Sequence, residues 1–211
     1  MKKFLLVCLV CGTVGTGFAQ DLATKTDAFV MFFHAGWGKL PNTSGLTNSS
    51  ADYVNELCSG VDWNFQTLFR HKKLITGLLY SGYTANGKLE YSSDKILTNY
   101  IAPQIGMNIP VGSGKFDISW NVGIGGMWYR NNSKVFEKDR KVKGSTAGVN
   151  LGLKAIYNFT QSFGVSFEIA TIQANLYKTH ITYHDETIKG TYPDALPLNQ
   201  FTFSLGLKYS L

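Results

Sequence analysis

The sequence is poor in cysteine, which removes one common way of holding a fold together. It has three cysteines in 211 residues, and Cys8 and Cys11 both lie in an apolar N-terminal segment. If that segment is cleaved, only Cys58 remains, and one thiol cannot form an internal disulfide. We expect Cys58 to be a bystander near a loop; the alternative is a reactive or partner-linking thiol.

Long apolar runs and a strong excess of charge are also missing. After Gln20 no stretch offers 18 uncharged apolar residues, as a membrane-spanning helix requires. Without Lys2 and Lys3 the chain keeps 18 basic and 14 acidic residues, too small an excess to indicate nucleic acid. The sequence therefore argues against a helical membrane protein and predicts no nucleic-acid partner.

Aromatic residues and glycine, in contrast, are plentiful. The chain has 14 Phe, 11 Tyr, 4 Trp and 22 Gly, with 5 Pro. This composition, with moderate charge, is typical of a β-barrel that crosses a membrane. The length fits one domain.

The first 19 residues have the pattern of a cleaved signal peptide. Lys2 and Lys3 form a charged start, residues 4–11 are apolar but too short to span a bilayer, and residues 17–19 resemble a cleavage site. We predict that residues 1–19 are removed and that residues 20–211 form the mature domain. A retained anchor helix is the alternative.

Eight segments alternate between apolar and polar residues and predict strands. They are residues 27–38, 60–70, 74–85, 97–111, 115–130, 145–159, 163–178 and 199–211. Short connections at 71–73, 112–114 and 160–162 alternate with long ones at 39–59, 86–96, 131–144 and 179–198. Short periplasmic turns and long outer loops are expected of an outer-membrane barrel, which places both termini in the periplasm.

Each strand has an apolar row and a polar row. In the fifth strand, Phe116, Ile118 and Trp120 alternate with Asp117, Ser119 and Asn121. The Gly, Asn and Gln of the polar rows favour a narrow, polar-filled lumen over a soluble barrel with an apolar interior. Aromatic residues near strand ends predict an interfacial girdle of Trp37, Trp63, Trp128, Tyr129 and Tyr209.

The C-terminal strand ends in a pattern typical of barrel-assembly signals. A polar residue and a glycine precede an aromatic residue and a terminal apolar residue, at Ser204, Gly206, Tyr209 and Leu211. On this pattern and the strand architecture, residues 25–211 resemble the eight-stranded outer-membrane barrels that include the OmpA transmembrane domain and OmpX. The resemblance implies an all-β, antiparallel, up-and-down transmembrane barrel in a bacterial outer membrane, commonly monomeric, with periplasmic chaperones and the barrel-assembly machinery as partners.

Six charged residues fall on the polar rows and predict a network inside the lumen. Charges removed from water must be paired, so a salt-bridge network is the expected arrangement, and a gated small-solute pore is the alternative. The predicted network comprises Asp62, Arg70, Asp117, Lys154, Glu168 and Lys208.

The third long connection is rich in positive charge. Its five cations could contact phosphates of lipopolysaccharide or an acidic partner; the plainer interpretation is a solvated loop. The cations are Lys134, Lys138, Arg140, Lys141 and Lys143. In the fourth connection, Ile181 and Tyr183 indicate a hairpin that extends strand seven and could offer an edge to an extracellular protein.

No group of residues in the sequence matches a catalytic or metal site. His34 lies on the polar face of strand one, and no nucleophile, base and orienter fall within reach of one another in the pattern. We predict no catalytic residues, no cofactor and no metal. The sequence favours a non-enzymatic surface barrel serving envelope structure, adhesion or partner docking; a narrow channel for small solutes or apolar ligands is the alternative, and a lipid-A-modifying enzyme is third.

Overall fold

A computed structural model describes residues 27–40, 57–89, 92–112, 114–135, 138–183 and 186–211. The predicted signal peptide, residues 1–19, and most of the first long connection lie outside the described residues. No helix in the described ranges is long and apolar enough to cross a membrane.

Nine antiparallel strands make up almost all of the described chain. They are β1 Asp27–Lys39, β2 Ser59–His71, β3 Leu74–Leu89, β4 Ser92–Val111, β5 Phe116–Val135, β6 Lys138–Asn158, β7 Phe163–Tyr183, β8 Glu186–Pro197 and β9 Gln200–Ser210. Eight of them, all except β8, correspond to the eight predicted strands and form a closed ring. The predicted eight-stranded antiparallel barrel is therefore confirmed.

The ring closes because β9 pairs with both β1 and β7, and β6 pairs with β7. One row of register partners that starts at Phe116 on β5 returns to that strand at Gly126, ten residues further along. The row runs through Tyr157, Val165, Leu207, Phe33, Phe65, Tyr80 and Ile101. Such a stagger requires strands tilted by roughly 40° to the barrel axis.

The barrel is apolar outside and carries its polar rows inside, as the alternation predicts. Large apolar side chains are exposed on the exterior, among them Phe33 (55%), Phe65 (42%), Ile118 (46%) and Leu205 (70%). An apolar exterior of this kind belongs in lipid, because water would penalise so much exposed apolar surface.

The predicted aromatic girdle is wrong at one residue, Tyr129. Trp37 and Trp128 lie on the exterior, but Tyr129 is buried and faces the lumen, because it follows the inward-facing row of β5. Trp63 lies on the outer face against Gly82, whose missing side chain leaves room for the indole ring.

The barrel has two unlike ends. At the turn end, the three short connections lie at 72–73, 112–115 and 159–162, close to their predicted positions. The left-handed backbone of Lys72, Gly112 and Gly114, with φ of 54°, 64° and 81°, allows the chain to reverse there.

At the opposite end, the hairpin end, three of the predicted long loops are in fact β-hairpins. β3 to β7 continue past the predicted strand ends, and only residues 90–91, 136–137 and 184–185 separate consecutive strands. β8 returns along β7, which confirms the predicted extension of strand seven. Because β1 and β2 are 13 residues long and β4 to β7 are 20 or 21, the wall is taller on one side.

Candidate functional site: a filled lumen and a cationic outer wall

A polar network spans the lumen at mid-height, and it begins at His34 on β1. The His34 Nε2 atom lies 2.8 Å from Ser166 Oγ on β7, although β9 runs between these two strands. Both residues are register partners of Gly206, and an added Cβ there would overlap the imidazole ring. A glycine on the intervening strand thus lets His34 reach across it.

The carboxylate of Glu168 is the centre of this network. Lys154 Nζ lies 3.2 Å from Glu168 Oε1, and Gln66 Nε2 donates to the same oxygen at 2.9 Å. Asn64 Nδ2 donates to Oε2 at 2.8 Å, and its own carbonyl oxygen lies 3.0 Å from His34 Nδ1. The buried charge is therefore compensated by one cation and two amides, as burial in a low dielectric requires.

Amide side chains extend the network across β4, β5 and β6. Lys154 Nζ donates to Asn121 Oδ1 at 2.6 Å, and Asn121 in turn donates to Gln104. Gln104 and Asn150 exchange hydrogen bonds of 2.9 and 3.0 Å across their shared register partner Gly123. Gly123 on β5 and Gly206 on β9, both inward-facing, thus each leave room for polar side chains of the two neighbouring strands to meet.

The six predicted network charges lie at three different levels of the lumen. Lys154 and Glu168 pair at mid-height, whereas Asp62, nearer the hairpin end, accepts a hydrogen bond from Gln200 at 2.9 Å. Asp117 and Lys208 lie at the turn end, where Asn158 connects them through bonds of 3.2 and 2.7 Å. Arg70 lines a small cavity beside these two residues.

Apolar side chains fill the lumen on either side of the polar layer, which the sequence analysis did not predict. On the turn side the apolar layer consists of Ala28, Val30, Phe32, Leu68, Ile75 and Ile156. The hairpin side holds a larger layer, whose members include Tyr83, Ile96, Tyr100, Met127, Tyr129, Val142, Ile172, Leu176 and Leu198. The predicted polar filling is therefore found in the middle layer of the lumen, and the layers on either side of it are apolar.

The cavities described inside the barrel are small. Two internal cavities, one beside Arg70 and Lys208 and one beside Gln66 and Glu168, measure about 10 Å³ each. A cavity of this size holds about one water molecule. The described part of the lumen is therefore filled at three successive levels.

A buried serine, histidine and glutamate lie in contact in the lumen, which the sequence did not predict. They are Ser166, His34 and Glu168. The serine lies on one side of the imidazole, and Glu168 Oε2 lies 3.5 Å from Nδ1 on the other, as in a Ser–His–acid triad. All three side chains are at most 2% exposed, and Ser166 lines neither of the two cavities. A hydrolase needs room for a substrate beside its nucleophile, and neither of these two cavities provides it beside Ser166.

The five cations of the predicted lipopolysaccharide contact lie on a hairpin rather than in a loop, and they divide between its two faces. Lys134, Lys141 and Lys143 are exposed on the exterior. Arg140 follows the inward-facing row of β6, is partly buried and donates to Ser133 Oγ at 3.3 Å, and Lys138 belongs to the same row.

Three further basic residues lie on the exterior beside this hairpin. Register pairing aligns Arg130 on β5, Lys143 on β6, His180 on β7 and Lys189 on β8 in one row across four adjacent strands. All four are exposed. We call Arg130, Lys143, His180 and Lys189 the cationic row, after its three cations Arg130, Lys143 and Lys189.

The four residues of the predicted assembly signal occupy two faces of β9. Ser204 points inward and is 2% exposed, and Gly206 makes room for His34. Tyr209 packs against Phe163 with ring centroids 5.0 Å apart, and Leu211 is 62% exposed. At least two of these positions therefore have packing roles of their own.

The structure is similar to several solved outer-membrane proteins. A major outer-membrane protein of Thermus thermophilus matches with a TM-score of 0.62 and 10% identity, over 88% of this chain and 99% of that one. Neisserial surface protein A matches with a TM-score of 0.52 and 12% identity, over 87% of this chain and 97% of that one. The protease OmpT of Escherichia coli matches with a TM-score of 0.53 and 9% identity, over 91% of this chain and 99% of that one. No protein-family model and no curated protein matches the sequence.

These likenesses, at such low identity, concern the fold. The closed ring and its apolar exterior agree with them and define the class: an eight-stranded transmembrane β-barrel of the outer-membrane type. At the level of the fold, the predicted resemblance and the outer-membrane location are confirmed.

Proposed function

We propose that this protein is a non-conducting, non-enzymatic surface barrel, whose hairpin end presents a rigid β-wall for contact with other molecules outside the cell. The single observation that carries the proposal is the filling of the lumen at three levels, by an apolar layer, a polar network and a second apolar layer. A conducting pore would need all three levels to rearrange, including a buried ion pair.

The construction of the hairpin end supports the second half of the proposal. Asp94 accepts hydrogen bonds from Asn131 and Ser133 on the inner face of the wall. Val142, the register partner of Asn131, belongs to the buried apolar layer of the same face. Paired strands with a filled inner face hold a fixed shape, and a fixed surface binds partners at a lower entropy cost than a loop does.

The edge of β8 is one place where an extracellular protein could dock. Within the described residues, β8 pairs with β7 on one side only. An edge of this kind can accept a strand from another chain, with main-chain hydrogen bonds supplying affinity. This contact would serve adhesion or partner docking, as the sequence analysis predicts.

Release of trapped solutes from liposomes tests the proposal. Residues 20–211 are refolded into liposomes loaded with solutes of graded size, with protein-free liposomes and liposomes carrying an open porin as controls. We expect release no faster than from protein-free liposomes. Rapid, size-limited release would overturn the proposal in favour of a channel, with Arg70, Lys154 and Lys208 as the gate to examine.

A further inference from the structure

We propose that the cationic row is a binding surface for the phosphate groups of outer-leaflet lipid. The row does not depend on whether the lumen conducts, so it stands apart from the function proposed above. It includes only one residue of the sequence-based prediction, Lys143, and it adds Arg130, His180 and Lys189, which lie far apart in the sequence and meet only through strand pairing.

The row is wide enough to contact more than one phosphate group. Adjacent strands lie about 4.8 Å apart, so four aligned residues cover about 14 Å of the wall. Guanidinium and ammonium groups donate charge-assisted hydrogen bonds to phosphate oxygens, and several cations within this distance can hold more than one phosphate at a time. The next row adds Lys95 and Lys141, both exposed and joined through Asn132.

The height of the row favours lipid over an acidic protein as its partner. Arg130 follows Trp128 by two residues on the same exterior face of β5, about 7 Å further along the strand. Trp128 is 48% exposed, and on β7 the exposed Tyr177 precedes His180 by three residues. Aromatic side chains mark the edge of the hydrocarbon layer, so the row lies in the headgroup layer directly beyond it.

Thr182 and Thr187 lie beside the row and add neutral hydrogen-bonding groups. Their hydroxyl oxygens are 3.1 Å apart, on the exterior of β7 and β8. Hydroxyl groups next to cations suit a phosphorylated sugar headgroup, which offers both phosphate oxygens and hydroxyls. The chemistry therefore points to a phosphorylated glycolipid rather than to a simple anionic lipid.

The test compares two double variants of residues 20–211 refolded in detergent micelles. Lys143→Gln with Lys189→Gln removes two cations of the row, and Lys72→Asn with Lys115→Gln removes two exposed cations at the turn end. The probe is lipid A with both phosphates, and its affinity is measured by titration at low and high salt. Each cation near an anionic lipid surface contributes about a fivefold change in affinity, so the row variant should bind roughly 30-fold more weakly.

The matched control should bind as the unsubstituted barrel does, and dephosphorylated lipid A should bind both barrels weakly. Equal affinity of the row variant and the unsubstituted barrel for bisphosphorylated lipid A would overturn the proposal. So would an equal loss in the control variant, and so would tighter binding of poly-glutamate than of lipid A, which would assign the row to an acidic protein. Circular dichroism of both variants establishes that each is folded.

Discussion

His34 on β1 and Ser166 on β7 touch across an intervening strand, with His34 Nε2 2.8 Å from Ser166 Oγ. The contact exists because the residue between them, Gly206, has no side chain. Polar side chains that meet across inward-facing glycines thus organise the lumen.

Gly206→Ala should destabilise the barrel, because the new Cβ would overlap the His34 ring and the Phe33 carbonyl oxygen. We expect a loss of about 3 kcal/mol in the free energy of unfolding, measured by urea titration in lipid vesicles. Gly126→Ala is the control, since its Cβ would meet only the ring edge of Trp128 at 3.2 Å. Equal stability of the two variants would contradict the packing role of Gly206.

The same experiment separates two roles of Gly206. In vesicles without assembly machinery, only packing inside the barrel can reduce stability. A normal unfolding curve in vesicles, combined with failed assembly in cells, would assign Gly206 to the assembly signal alone.

Lys154 and Glu168 should be energetically coupled. Lys154→Met leaves a carboxylate buried without its cation, and the expected loss of stability is about 3–5 kcal/mol. In a double-mutant cycle with Glu168→Gln, we expect a coupling free energy of about 1–3 kcal/mol. As a control, the losses of stability caused by Asp94→Asn, at the hairpin end, and by Lys154→Met should add. Additive losses from Lys154→Met and Glu168→Gln would refute the pairing of Lys154 with Glu168.

Replacing a leucine inside the barrel should reduce the folding stability more than replacing one on the exterior. Leu176 is 0% exposed in the apolar layer, so Leu176→Ala leaves a cavity and should cost about 2–5 kcal/mol. Leu205 is 70% exposed on the exterior, where lipid fills the space left by Leu205→Ala, and the cost should be smaller. The reverse order in urea unfolding would mean that the faces are assigned wrongly.

A charge on the exterior should be penalised according to depth. Val122 lies midway between Phe116 and Trp128 on the outer face of β5, and Val122→Arg should cost about 2–4 kcal/mol of folding free energy. Asn132→Arg, beyond Trp128 on the same face, should cost about 0–1 kcal/mol. Equal effects of the two substitutions on equilibrium refolding into vesicles would contradict the placement of the apolar belt.

The alternation of residues was sufficient to predict the strands wherever lipid lies outside. In β5, the outward row from Phe116 to Ile124 is apolar, and the sequence predicts both the strand and its faces correctly. Beyond Trp128 the exterior meets headgroups and water, and Arg130, Asn132 and Lys134 end the apolar row. The strand continues to Val135 without a pattern that could reveal it.

The interior was harder to predict, because its contacts join residues far apart in the sequence. His34 and Ser166 are 132 positions apart and lie on strands that are not neighbours, so neither spacing nor strand order points to their contact. The inward direction of Tyr129 could have been predicted from its parity with Asp117, but its place near a strand end suggested a girdle. β8 carries Pro193 and Pro197, which are typical of a loop.

Ionic current across a planar bilayer that contains the refolded barrel, residues 20–211, shows directly whether the lumen is closed. Small ions are the most demanding probe, because they pass through any continuous water path. The filled lumen predicts a current equal to that of the bare bilayer, at both signs of voltage. Discrete, repeatable current steps from the purified barrel would show a continuous path through all three levels and would contradict the account.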